Sequence, residues 1–376
     1  MVPTYLDHAA STPMRPEAVE AMVPFLTTHH GNPSGSHAAA RHARRAVDDA
    51  RDAVAALVGC TPGEVVFTSG GTESDVTAVR GAAGAHDGPV AVSSIEHPAV
   101  RAPAAATGRA VSLPVDARGR VDPSAVPAGA ALVSVGLANN EVGTIHPLDD
   151  LADRARVLHT DAVQAAAWLD LPTLAAPADL VSLSAHKLGG PKGVGALVVR
   201  AGTRIDPLLT GGGQERERRS GTQNVAGIVA LGVAAALTVA ERHDRVRRVA
   251  ALRDRLAAGL RASVPDLVET VAPDGDRRHV LPGHLHLCLG GVAADEVLFL
   301  LDAEGVAATA ASSCASGATE PSAVLAALGV PTDRARGSLR LTLGWPTTEA
   351  DVDRALAVVP AAVARARGTS AGTSAA

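Results

Sequence analysis

An α/β fold, with a large domain on a mainly parallel sheet and a smaller α+β domain, is predicted by three observations. Between residues 65 and 200, short aliphatic runs of strand length alternate with stretches of helical period. Polar residues recur at the carboxyl ends of those candidate strands, the edge where open α/β sheets bind ligands. Beyond residue 250 the pattern changes to strictly alternating strands such as 284–289 set between helices. The chain has 376 residues, 47% of them hydrophobic, enough for two cores. We divide it into a large domain at 15–250, a small domain at 1–14 and 251–365, and a tail at 366–376. Gly, Ser, Thr and Ala dominate that tail, which is expected to be disordered.

Each element follows from a local pattern. A short strand near residue 4 leads to a helix from about Pro16 to Leu26. The polar loop His29 to His37 has neither helical nor strand period, and Ala38 to Val58 is amphipathic with Arg and Asp on its wet side. Val65 to Thr68 is a strand, followed by Ser69-Gly-Gly-Thr-Glu-Ser-Asp75 and a helix. Strand, Gly-Gly turn and helix make an anion cradle, because free N–H groups at the helix start point at a phosphate. Further strands end at Glu96-His97, at Asn139-Asn-Glu-Val-Gly143 and at Asp161, with Gln164 one turn on. After the charged glycine loop Thr210 to Asn224, an apolar helix is expected over 225–240. A separate charged helix is expected over 242–260, linking the domains.

Composition narrows the function. The net charge of −5 gives no electrostatic footprint for nucleic acid. The N-terminus has no basic and apolar leader, and no uncharged apolar run reaches about 20 residues, so neither export nor membrane insertion is expected. Cys60, Cys288 and Cys314 lie far apart, which is no disulfide framework and points to a reducing cytoplasm. His284, His286 and Cys288 share one strand face, but no fourth ligand accompanies them and no metal site is assigned. Cys314 sits among small residues outside any apolar period, as a reactive thiol on a loop would.

The stretch Val181 to Val199 organises the rest. It holds Lys187 and Lys192, the only two lysines of the chain. Arginine serves wherever a cation suffices, so a retained lysine points to chemistry arginine cannot do. A desolvated lysine can lose its proton and form a Schiff base, and the commonest cofactor carbonyl held that way is pyridoxal 5'-phosphate (PLP).

Together these motifs make the chain resemble the cysteine desulfurases, fold-type I PLP enzymes of the class-V aminotransferase group. The resemblance rests on Gly31-Asn-Pro-Ser, Phe67 to Asp75, Glu96-His97, Asn139 to Gly143 and Asp161-Ala-Val-Gln164. It continues through Ser184-Ala-His-Lys187, Gly211-Gly-Gly-Gln-Glu-Arg, Arg219-Ser-Gly-Thr222 and Cys314 with Glu320-Pro-Ser. It implies Lys187 as the PLP lysine, Asp161 on the pyridine nitrogen, Gln164 on the ring hydroxyl and His97 stacked on the ring, moving protons. It implies Gly71, Thr72, Ser184 and His186 around the phosphate, with Thr222 arriving from the second subunit of a homodimer. Asn140 and Arg340 would take the carboxylate of L-cysteine, and Cys314 would receive its sulfur as a persulfide for an acceptor protein. Departures are Ala311-Ser-Ser before the thiol, Trp345, and a short C-terminus. Two other readings remain open: a thiol-independent PLP lyase or aminotransferase acting on selenocysteine or a sulfinate, and an inactive PLP-fold binding protein.

Overall fold

The computed structural model describes residues 3–310 and 322–373. Its strands in chain order are β1 Thr4–Tyr5, β2 Val65–Thr68, β3 Val90–Ser93, β4 Ala110–Leu113, β5 Leu132–Ser134 and β6 Leu158–Asp161. They continue with β7 Leu180–Ser184, β8 Gly195–Val199, β9 Leu267–Glu269, β10 His284–Leu289, β11 Val306–Ala307 and β12 Ser338–Thr342. Seven of them form one sheet in the order β2-β8-β7-β6-β5-β3-β4. β8 is antiparallel to both neighbours and the other pairs are parallel. β2, β3, β5, β6 and β7 therefore all end at one edge of the sheet. A second sheet, β12-β10-β9, is antiparallel, and β1 pairs with β11.

Helices cover the large sheet because each carries an apolar stripe. The helix α1 spans Pro16–Thr27 and α2 spans Ala38–Val58. α2 buries Ala40, Ala43, Val47, Ala50 and Val54, a 3–4 residue spacing. His37 caps its start by accepting the Ala40 N–H, and Gly59 ends it at a φ of 71°, where a side chain would be strained. α3, Gly71–Ala85, and α4, Pro98–Ala106, start directly after β2 and β3. With aromatics at 2% of the chain, the cores are Ala, Val and Leu. A separate cluster packs Leu6, Leu285, Leu287, Leu339 and Val359 around the small sheet.

Two expectations need correction. The helices expected at 225–240 and 242–260 are one helix, Val225–Ser263. Nothing breaks it at Glu241-Arg242, since both are good helix formers. The change there is in environment, from buried sheet cover to a wetter face. The tail expected to be disordered from residue 366 is helical as far as the structure describes it, in Glu349–Thr373. Ala366 is buried, and Arg367 donates to the Gly290 and Pro265 carbonyls, so tertiary contacts hold the start of this segment. One stretch of Val225–Ser263 is long and apolar enough, by composition alone, to cross a membrane. Half of that apolar window is buried, and Gly232 lets the helix backbone touch Ala50 of α2.

Candidate active site

The strand ends surround a cavity of about 360 Å³, a size that suits a small cofactor. Gly71, Thr72, His97, Asn140, Asp161, Gln164, Ser184, His186, Lys187 and Arg340 all line it. Thr222 does not: it lies exposed in the loop before Val225–Ser263. Cys314 lies outside the described residues. The structure thus brings together side chains from five strand ends and from β12.

Lys187 closes a short 3₁₀ turn, Ala185–Lys187, that continues β7. Its Nζ donates to the Ala9 carbonyl and, at 2.9 Å, to that of Ala10. Gln164 Nε2 reaches the same Ala9 carbonyl at 2.8 Å. Lys192, by contrast, is exposed. His186 lies half-buried with Nδ1 3.3 Å from Ser11 Oγ, and burial together with Lys187 and Lys192 pushes its pKa down to about 4. It is a neutral ring at physiological pH.

His97 caps α4: its Nδ1 accepts the Ala99 N–H at 3.1 Å. A backbone N–H can only donate, so the neutral ring carries its proton on Nε2. Burial holds its pKa below the usual imidazole range; Asp161 opposes this and Lys187 adds to it. Asp161 at the end of β6 accepts the Val163 N–H at 2.8 Å and feels both His97 and Lys187. Arg340, 4% exposed, donates to the Asn140 carbonyl at 2.7 Å and to Asp7 at 2.8 Å. Among the described residues, its Nε is buried without a hydrogen-bond partner.

At the opposite wall, α3 begins at Gly71, and Gly71 and Thr72 line the cavity, so the unpaired N–H groups of a helix start belong to this wall. A Cβ on Gly71 would come within 2.9 Å of Val163 Cγ2, so a side chain here would have to displace Val163. Glu73 in the first turn caps Ser69 N–H and pairs with Arg219 at 2.7 Å, which neutralises a carboxylate that would otherwise repel an anion. Arg219 belongs to the loop carrying Thr222. That loop contains three consecutive residues at positive φ, Glu215, Arg216 and Glu217. Glu215 is buried and takes both guanidinium nitrogens of Arg51, the Phe67 N–H and Gln223.

An anion cradle at one wall, a carboxylate at another and a lysine between them fit a phosphorylated ring that bears a carbonyl. Comparison with known proteins agrees. Residues 4–355 match the class-V aminotransferase family. A "Cysteine desulfurase IscS" of Dictyoglomus turgidum is 40% identical, covering 96% of this chain and 95% of that protein. An "IscS-like cysteine desulfurase" of Mycobacterium tuberculosis is 43% identical, covering 96% and 97%.

The chain belongs to the cysteine desulfurase family, within the class-V aminotransferases.

Members of this family are PLP-dependent. Among solved structures, a "NIFS-like protein" superposes with a TM-score of 0.88 at 30% identity, covering 96% of this chain and all of that one. "SspA in complex with cysteine" gives 0.77 at 30% identity, covering 90% and 98%.

The sequence reading missed several cavity residues. Asp75 and Glu96 lie in motifs it used, yet it gave neither a role. Acids early in a helix or beside a histidine read as ordinary solvated or capping groups. Ala9 and Ala10 act through backbone carbonyls, which leave no side-chain signature. The strand 284–289 is buried on both faces, and His286 Nδ1 bonds Thr270 at 2.7 Å. Among the described residues no group of three or more metal-ligating side chains gathers.

Proposed function

We propose that this chain is a homodimeric, PLP-dependent cysteine desulfurase that turns L-cysteine into L-alanine and leaves a persulfide on Cys314. The observation that carries it is the convergence of Lys187, Asp161 and His97 on one cavity closed by a glycine cradle. Gly71, Thr72, Ser184 and His186 would hold the phosphate, Asp161 the ring nitrogen, Gln164 the ring hydroxyl and Lys187 the carbonyl carbon. The chemistry PLP supplies when bound is an electron sink for the bond-breaking at the substrate Cα.

The chain's own residues do the rest. Asn140 and Arg340 bind the substrate carboxylate, with the buried Arg340 Nε as an available donor. Asp7 and the Asn140 carbonyl fix the guanidinium plane beforehand, so little side-chain entropy is lost on binding. Lys187 Nζ removes the Cα proton, and its two carbonyl acceptors set the direction of that nitrogen. His97 moves protons through Nε2, the nitrogen its cap leaves available. The Cys314 thiolate attacks the substrate sulfur. Its own proton is given up before attack. The S–S bond forms as the C–S bond breaks, the C–S electron pair stays on Cβ and is protonated to the alanine methyl, and a proton is returned to Cα. The sulfur then passes to an acceptor protein. The enzyme works in the reducing cytoplasm, where Cys60 and Cys288 remain free thiols.

Replacing Cys314 tests this. Cys314→Ser is expected to retain the visible absorption of the bound cofactor and its response to L-cysteine, but to form neither persulfide nor alanine. Undiminished alanine production by the variant would move the chain to the thiol-independent lyases.

A further inference from the structure

At the cavity wall, α3 sets a second acid beside Asp161. Asp75 is 2% exposed, in the second turn of α3. Asp75 and Asp161 line the same cavity, and their carboxyl groups interact as hydrogen-bond partners. Two buried carboxylates in contact cannot both remain ionised, so one must keep its proton.

The surroundings decide which. Asp161 has a backbone donor, Val163 N–H, and two groups that favour its anion, His97 and Lys187. Asp75 has only the Ser182 hydroxyl on its side, with no backbone donor and no cation favouring its anion. Among the described residues, its Oδ1 is buried with no hydrogen-bond partner. His159 Nε2 is 3.6 Å away, beyond a hydrogen bond. His159 is itself engaged on both sides, with Ser134 Oγ at 2.8 Å and Ser182 Oγ at 3.0 Å. Fully buried, it stays neutral, its pKa held down near 3. Ser182 mildly favours the Asp75 anion, while Glu96, the remaining acid nearby, opposes it.

We propose that Asp75 is a positioning residue for Asp161: the pair shares one proton, which Asp75 carries and donates to Asp161. Asp161 is thereby fixed as the anionic acceptor facing the cavity, aimed from behind by an acid and from the side by Val163. The strand register explains why the network forms. His159 and Asp161 share one face of β6, Ser134 is the partner of His159 on β5, and Ser182 is the partner of Asp161 on β7. Burial and the Asp161 charge both shift Asp75 well above the ordinary carboxyl range. The ring-nitrogen contact of Asp161 rests on the PLP reading above; the shared proton does not.

Two measurements on the full chain separate these. Infrared spectroscopy of cofactor-free protein at pH 7 is expected to show a carboxylic acid C=O band that Asp75→Asn removes. Glu96→Gln identifies the contribution of the second buried acid. Asp75→Asn, which keeps a neutral donor, is expected to retain PLP as tightly as the parent. Asp75→Leu, which removes the donor, should weaken PLP retention by about 10-fold or more. An infrared spectrum unchanged in Asp75→Asn, or PLP loss by Asp75→Asn equal to that of Asp75→Leu, overturns the proposal. If Asp75→Leu does not fold, the infrared result with Asp75→Asn still decides it. Failure of the parent to bind PLP would instead sink the cofactor reading and leave the shared proton standing.

Discussion

His97 Nδ1 is bound to the Ala99 N–H, so the ring that caps α4 offers the cavity only its Nε2 edge. Cap and proton carrier are one side chain, and substitution can separate the two jobs. Asn supplies a cap oxygen but no titratable nitrogen. We expect His97→Asn and His97→Ala to lose turnover alike, by about 10²–10⁴-fold. Only His97→Ala should also lose the cap, at about 1 kcal/mol of stability. Steady-state rates and thermal melts on both variants check this, and near-normal turnover in either removes His97 from proton transfer.

Lys187 and Lys192 differ in exposure and surroundings, and only Lys187 reaches the cavity. Borohydride reduction followed by peptide mass mapping should place the reduced PLP adduct on Lys187. Lys192→Ala should keep colour and activity, whereas Lys187→Ala should abolish turnover. An adduct on Lys192 would reverse the assignment.

Glu96 gives the fold a pH signature. It accepts the Gly136 N–H at 2.7 Å but is otherwise desolvated, and burial raises its pKa to about 8. An unfolded glutamate titrates near 4.3. Between these values the folded state binds the extra proton, so stability falls as pH rises, by about 1.4 kcal/mol per pH unit at most. Glu96→Gln keeps the acceptor and removes the titration. The variant should lose less stability than the parent between pH 5 and about 8. The buried His8 and His159, held near 4 and 3, work the other way. Their unfolded forms take up protons below about 6.5, so stability is also lost as pH falls. Denaturant melts across this range check both arms.

The strained run Glu215–Glu217 depends on Arg51. Burial would raise the Glu215 pKa, but the hydrogen bonds and charge of Arg51 outweigh it and keep the carboxylate ionised. Arg51→Met strands that charge in the core, which costs about 3–5 kcal/mol. We expect a lower Tm and, since the same loop carries Arg219 and Thr222, weaker PLP retention. An unchanged Tm would show that the loop is held by other contacts.

The dimer prediction rests on Thr222, which is exposed and away from its own cavity. Mixing Lys187→Ala with Thr222→Ala subunits should create heterodimers with one intact site. At limiting PLP their activity should then exceed the mean of the two parents. Equality with that mean, once subunit exchange is verified by mass spectrometry, excludes a trans role.

Much of the site was legible because it is built on strand ends. Period-two and period-3.6 patterns locate β2, β3, β6, β7 and the helices between them, and chemistry-bearing residues sit where the patterns stop. Lys187 was legible because arginine replaces lysine elsewhere. Asp75 was not, since only tertiary packing brings a residue of α3 against the end of β6. The Ala9 carbonyl was not either, because it arrives from a segment some 180 residues away in sequence from Lys187. The join at Glu241-Arg242 misled because polarity changes there while the backbone does not.

That uninterrupted helix has one more consequence. Ile228, Leu231, Ala234 and Ala235 pack with the large sheet, while Val249, Leu252, Leu256 and Leu260 pack with the small one. A boundary at residue 250 therefore falls inside a hydrogen-bonded rod, and here a protease meets no exposed linker to cut. Loss of either core frays the helix that the other core needs. Melting should accordingly be a single cooperative event, with Arg340 and Lys187 kept in register by the same rod until the whole chain lets go.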